Sequence, residues 1–325
     1  MSALALGCMA FGRTADEPTS LRMIDEAIGA GINLIDTANR YGKGRSEEIV
    51  GKALRANGKR DEVVLATKVS GRRRPLSDQD INESMCSRVH VMKEVEASLR
   101  RLQTDHIALY QIHFFWPETD LYELFSTLDT LLRQGKVRYI GTSKWAPAMI
   151  AEAHALCERY GWTKPLSEQP PYNLLDRRIE DELIWTCKRY GMGIIPWAPL
   201  GGGVLTGKYS ADEPFPEEAR FEGLNRRCNP EAIARADALK PLADEKGVTL
   251  AEFCLAWVMR QTGITSAITG PRTPEHLASS LNALKVTFTD EDYERINAIA
   301  PQGSYVANYW EGNVYARLRK SAGIR

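Results

Sequence analysis

Eight short β-type runs alternate with helix-patterned stretches from one end of this 325-residue chain to the other. No other feature constrains the fold as much, because consecutive parallel strands need crossover helices and eight strands suffice to close a sheet on itself. The runs are residues 4–7, 32–36, 63–68, 106–113, 137–142, 166–169, 193–197 and 266–269. Between them, apolar residues recur at helical spacing: Leu21, Ile24, Ala27 and Ile28; Ile49, Val50, Ala53 and Leu54 behind Ser46 as an N-cap; Val91, Val95, Leu99 and Leu102; Leu121, Leu124, Leu128 and Leu131. Gly29, Gly31 and Gly161 fall where helix ends favour a left-handed residue. The expectation is an α/β chain, a (β/α)8 TIM barrel in one domain over residues 1–325, with long loops after strands four and seven. Residues 211–230 are polar and Pro-broken. Residues 301–325 carry Tyr305, Tyr309, Trp310 and Tyr315 with little periodicity, and form a C-terminal tail expected over the barrel mouth.

Charge narrows the partners. Lys plus Arg equal Asp plus Glu at 42 each, so no global field draws the protein to nucleic acid or anionic membrane, and an anion needs a local site. Cys8, Cys86, Cys157, Cys187, Cys228 and Cys254 are scattered, without zinc or redox spacing, which points to reduced thiols in a cytoplasmic protein and to no metal site. No apolar run approaches the roughly 18 residues of a membrane span. The first residues lack the basic region of a signal peptide and read as a strand.

In a β/α barrel, chemistry sits where strands end, so strand-closing residues are weighed separately from those inside. Asp36 closes strand two, Tyr41 follows in its loop, Lys68 closes strand three and His113 closes strand four. Singly each is more often a cap, a packing residue or a core imidazole; together on adjacent strand ends they form a proton donor for a carbonyl oxygen. An adjacent ammonium stabilises phenolate and is expected to lower the Tyr41 pKa. Asp36 would hold Lys68 charged, and His113 would bond the substrate oxygen. No side chain delivers hydride, so redox chemistry here implies a nicotinamide cofactor.

The segments Asp36-Thr37-Ala38-Asn39-Arg40-Tyr41-Gly42 with Ser46-Glu47, Ala66-Thr67-Lys68 and Leu109-Tyr110-Gln111-Ile112-His113 resemble the signatures of the aldo-keto reductases. Residues 95–102, 135–141 and Gly207-Lys208-Tyr209 continue the resemblance in order over nearly the whole chain. It is closest to the branch with aryl-alcohol dehydrogenase-like reductases and potassium-channel β subunits. The resemblance implies a catalytic tetrad of Asp36, Tyr41, Lys68 and His113, with Tyr41 as general acid. It also implies an extended NADP(H) across the barrel mouth, with NAD(H) a weaker substitute. Gly7, Met9 and Asp36 would face that cofactor, Ser143 and Gln169 would bond its carboxamide, and Trp197 would stack on its ring. Leu200 and Gly202, in the run Leu200-Gly201-Gly202-Gly203, would admit the pyrophosphate, followed by Lys208. Gly270, Arg272 and His276 around a helix start near Pro274 would hold the 2′-phosphate.

The pattern has departures. Gly270 stands where some members have Lys, Ser279 and Ser280 where Glu-Asn is frequent, and Lys144 where Asn commonly follows Ser143. Relatives usually place a hairpin before the first strand, whereas residue 4 already begins it here. The run Arg72-Arg73-Arg74 reads as a solvated loop rather than an anion clamp. Phe114, Phe115 and Trp116 fit a flat or apolar substrate and equally ordinary loop packing. The expected activity is NADPH-dependent reduction of a small aldehyde or ketone, reversible as alcohol dehydrogenation. A redox-sensing subunit with little turnover is the alternative, and a lyase using Lys68 as a Schiff base is disfavoured by Tyr41. The oligomeric state, homo-oligomer included, is left open.

Overall fold

The computed structural model describes residues 1–70, 86–114, 116–217, 220–310 and 314–324. The expected Arg72-Arg73-Arg74 loop and Phe115 lie outside the described residues. Eight parallel strands run in the order β7-β6-β5-β4-β3-β2-β1-β8: β1 Leu4–Gly7, β2 Leu34–Asp36, β3 Val64–Val69, β4 Ile107–Ile112, β5 Val137–Thr142, β6 Ser167–Glu168, β7 Gly193–Ile194 and β8 Ala267–Thr269. The two ends of that order meet. Thr265 N donates to Ile194 O at 2.8 Å and Ile268 N to Pro196 O at 2.9 Å, so the sheet curls into a TIM-barrel-like closure without exposed edges. Strands two, four, six, seven and eight are shorter than expected, although ladder bonds continue past some of them, as in Gln169 N to Thr142 O at 2.9 Å and Trp197 N to Pro170 O at 2.9 Å.

Period-two alternation splits the apolar side chains into two cores. Ala5, Leu34, Ala66, Leu109, Ile195 and Ile268 form a small cluster inside the barrel, with Val64 and Trp197 packed against it. The opposite strand faces join the large outer core under the helices. These are α1 Glu17–Gly29, α2 Arg45–Asn57, α3 Arg88–Leu102, α4 Leu121–Arg133, α5 Pro147–Tyr160, α6 Leu183–Arg189, α7 Pro230–Glu245, α8 Leu250–Arg260, α9 Pro274–Asn282, α10 Asp290–Ile299 and α11 Val314–Ser321. Local chemistry starts them: Asp16 and Asp120 cap α1 and α4, and Thr249–Glu252 and Thr289–Asp292 close capping boxes on α8 and α10. Gly161 ends α5 at a φ of 67°.

Several expectations need correction. Ser46 does not cap α2, which starts one residue earlier after Gly44; its hydroxyl instead donates to Cys8 O at 2.7 Å and meets Thr37 Oγ1 at 2.8 Å, tying the helix to the ends of β1 and β2. Gly29 is the last helical residue of α1, and it is Gly31 that takes the positive φ, 89°. The connection from β4 to α4 covers only residues 113–120, shorter than expected. The tail contains helix α11, which aperiodic aromatics had hidden.

Candidate active site

Strand alternation builds the site two residues above the inner core. Asp36 follows Leu34, Lys68 follows Ala66, Gln111 and His113 follow Leu109, and Trp197 follows Ile195, each on the inward face at the C-terminal mouth. Lys68 and Asp36 are buried and paired, Nζ to Oδ2 at 2.5 Å. The same Nζ donates to Thr37 O at 2.9 Å and to the Tyr41 hydroxyl at 3.3 Å. Asp36 Oδ1 accepts from Gln111 Nε2 at 3.1 Å and from Gln169 Nε2 at 2.9 Å, so both oxygens of the buried carboxylate are satisfied. Tyr41, half-buried, opens a short 3-10 turn Tyr41–Gly44 whose Gly42 and Lys43 have φ values of 56° and 57°. The His113 ring meets Tyr41 edge-on at 5.8 Å between centroids, and its Nδ1 is buried with no hydrogen-bond partner among the described residues.

The electrostatics overturn one expectation. Burial raises the Tyr41 pKa above its ordinary value; Lys68 opposes this without reversing it. Burial also works against charge on Lys68, but Asp36 beside it prevails and holds the ammonium above its usual range. His113 is pushed well below the ordinary imidazole value, first by burial and then by Lys144, Lys68 and Arg40. At neutral pH Tyr41 is therefore a neutral phenol, Lys68 an ammonium and His113 a neutral imidazole.

The remaining expected residues lie at or after the C-terminal ends of strands β1, β5, β6, β7 and β8. Ser143 Oγ donates to Gln169 O at 2.9 Å, while the Gln169 side chain also donates to Gln111 Oε1 at 3.1 Å. Trp197 is half-buried, with Tyr309 of the tail edge-on at 6.0 Å. Gly7 pairs with Asp36, and a Cβ there would meet Thr269 O at 2.8 Å; Met9 is exposed just beyond it. After β7, Leu200 leads into a turn over Gly201–Thr206 in which Gly202 and Gly203 take φ values of 67° and 105°, with Lys208 Cε 3.4 Å from where a Gly203 Cβ would lie. After β8, Gly270 is exposed, and Thr273 caps α9 by accepting from His276 N. His276 is held below its usual value first by partial burial and then by the charges of Arg272 and Lys208.

Gln111, Arg227 and Lys144 were not assigned roles from sequence. Gln111 was legible as the residue two before His113 on an otherwise apolar strand. Arg227, with Cζ 5.8 Å from the Trp197 ring, lies in a distant loop and carries no sequence signal.

Among the described residues, no helix is long and apolar enough to cross a membrane and no His/Cys/Asp/Glu group could hold a metal. A model of the Aldo/keto reductase family matches residues 3–301. The chain is 36% identical to "Uncharacterized oxidoreductase YrpG" of Bacillus subtilis, covering 93% of each, and 34% identical to "Aldo-keto reductase YhdN" of the same organism, covering 92% of this chain and 89% of that one. It is 32% identical to a probable voltage-gated potassium channel subunit beta of Oryza sativa subsp. japonica, over 92% and 93% of the two chains. A family match over nearly the full length, on an eight-stranded parallel α/β fold, establishes that this chain belongs to the aldo/keto reductase family of oxidoreductases.

Proposed function

We propose that this protein reduces aldehyde or ketone carbonyls with NADPH, and oxidises the alcohols in reverse, with Tyr41 as the proton donor. The observation that carries this is the Lys68 Nζ to Tyr41 hydroxyl bond at 3.3 Å, on a lysine already paired with Asp36 at 2.5 Å. A carbonyl oxygen gaining electron density becomes an alkoxide, a far stronger base than phenolate, so a phenol with a raised pKa still donates to it. Lys68 then stabilises the phenolate left behind, and solvent restores its proton. Neutral His113 orients the oxygen by hydrogen bonding rather than acting as an acid.

The residues present suit a nicotinamide dinucleotide. Among the described residues Gln169 Oε1 makes no hydrogen bond, since the side chain's bonds to Asp36 and Gln111 are made by Nε2; an acceptor is left for a carboxamide beside the Trp197 face. The left-handed Gly202 and Gly203 let backbone approach a pyrophosphate, and Lys208, Arg272 and His276 at the start of α9 suit a further phosphate, which favours NADPH over NADH. Bound there, the cofactor would supply hydride to the carbonyl carbon. Six buried thiols, none in a disulfide among the described residues, are consistent with a cytoplasmic protein.

The test follows NADPH oxidation with aromatic, sugar and ketone carbonyls, then repeats it with Tyr41→Phe. The variant is expected to lose about 10²- to 10⁴-fold in kcat/KM; unchanged turnover would remove Tyr41 as the acid. Similarity to the rice channel subunit supports a second reading, a cofactor-binding regulatory subunit. Tight, slowly released NADPH with negligible turnover on every carbonyl would favour it.

A further inference from the structure

Lys144 directly follows Ser143 at the end of β5, and its environment is unusual for a lysine. It is 6% exposed, its backbone takes a φ of 61°, and its Nζ lies 3.6 Å from the Phe114 ring centroid and 6.0 Å from that of Trp197. Among the described residues these aromatic faces are its contacts, with no hydrogen bond to Nζ and no carboxylate in ion-pair reach. Glu168 is the nearby acid, but its oxygens are already engaged by Thr142 Oγ1 at 2.5 Å and Trp145 N at 3.1 Å. Burial, then the charges of Lys68, Arg317 and Arg227, push the Lys144 amine well below the ordinary lysine range, and a left-handed non-glycine residue adds backbone strain, so the surroundings hold in place an amine whose charge an incoming anion would stabilise.

Other cations share the same aromatic floor. Arg40 Cζ is 5.8 Å and Arg317 Cζ 5.5 Å from the Phe114 ring, and Arg317, from α11, lies 3.7 Å from the Trp116 ring. Phe114 in turn stacks on His113 at 4.4 Å, and His113 meets Tyr41. The positive cluster thus begins one ring away from the imidazole that faces the phenol. It is also separate from the basic group of Lys208, Arg272 and His276, which belongs to the segments after β7 and β8.

We propose that Lys144, supported by Arg40 and Arg317, binds a carboxylate on the substrate, so that the preferred substrates are aldehydes or ketones bearing an acid group beyond the reacting carbon. This rests on the carbonyl-reductase reading above. The missing counter-ion of Lys144 is then brought by the substrate, and the tail helix takes part in recognition. The apolar floor of Phe114 and Trp116 would hold the carbon skeleton between the two polar ends.

The test compares 4-carboxybenzaldehyde with its methyl ester as substrates for the NADPH-supplied enzyme, as the ratio of their kcat/KM values. Wild type is expected to favour the acid by at least about tenfold. Lys144→Met should collapse that ratio, mainly through KM for the acid, and Lys144→Arg should restore most of it. An acid-to-ester ratio near one in wild type, or one that Lys144→Met leaves intact, overturns the proposal while carbonyl reduction itself stands. Should neither compound nor any carbonyl of the panel be reduced, the reductase reading fails, and calorimetric titration with benzoate and benzamide in the presence of NADP⁺ decides on Lys144 alone. Benzoate binding at least about tenfold tighter than benzamide, and lost in Lys144→Met, supports the site; equal binding of the two overturns it.

Discussion

Lys68 reaches Asp36 because of the sheet register: Asp36 pairs with Ala66, two residues before Lys68, so both side chains leave adjacent strands on the same inward face. The 2.5 Å contact is therefore a property of β2 and β3 together. Asp36 then organises the rest of the mouth, accepting from Gln111 on β4 and from Gln169 just past β6.

Removing the ammonium leaves a buried carboxylate held by two neutral amides. Lys68→Met is expected to lose about 3 kcal/mol in urea denaturation, the usual cost of stranding one member of a buried ion pair. The double variant with Asp36→Asn should recover part of that loss. Equal instability of the single and double variants would mean that packing, not charge, sets the cost.

Tyr41, Lys68 and His113 all titrate away from neutrality. Tyr41 and Lys68 are raised above their ordinary values and His113 is lowered well below its own. An acid with a raised pKa stays protonated below it and is lost only as pH rises through it. Reduction should therefore keep its acid up to and beyond the ordinary phenol value of 10.0. A kcat/KM profile with an alkaline limb centred near neutrality, absent in Tyr41→Phe, would contradict this.

Glu168 is where pH should act on stability. Burial lifts its pKa from 4.5 to about 7, against hydrogen bonds from Thr142 and the Trp145 and Lys144 amides and the charge of Lys144. The folded state holds this proton more tightly than the unfolded one. Its contribution is complete below about 4.5 and is lost as pH rises through about 7, on the order of 3 kcal/mol in all. Glu168→Gln keeps an acceptor for Trp145 N and presents an amide donor to Thr142 Oγ1, whose own hydrogen can turn to Ser167 O, so its stability relative to wild type should grow between pH 5 and 8 on that scale. A constant difference across that range would refute the assignment.

Gly51 lets α2 and α3 approach. A Cβ at this position would lie 2.5 Å from the Leu102 carbonyl carbon and 2.6 Å from Arg101 O. Gly51→Ala should cost about 2 kcal/mol, despite the better helix propensity of alanine, because backbone cannot swing aside as a side chain does. Thermal or urea unfolding measures it, and a neutral or stabilising result would show that the two helices separate freely.

Arg272 tests the phosphate reading. Arg272→Ala is expected to weaken NADPH binding by about tenfold, in line with the loss of one charge-assisted contact, and NADH binding much less. Equal weakening of both cofactors would place Arg272 away from the 2′-phosphate.

The alternation of strand and helix periodicities was enough to read the eight strands and to place Asp36, Lys68 and His113 at strand ends, because strand and helix periods are local properties of the chain, whereas Ser143, Gln169 and Trp197 were marked only by the family resemblance. Local capping chemistry likewise announced α9 at Pro274. What the chain order alone did not reveal depends on segments far apart in sequence meeting in space. The closure of β7 onto β8, the seat of Tyr309 against Trp197 and the cations Arg40, Lys144 and Arg317 around Phe114 each join such segments. The upward shift of Tyr41 belongs with them, because burial is summed over every neighbour and here exceeds the pull of the one lysine that adjacency in the motif had suggested.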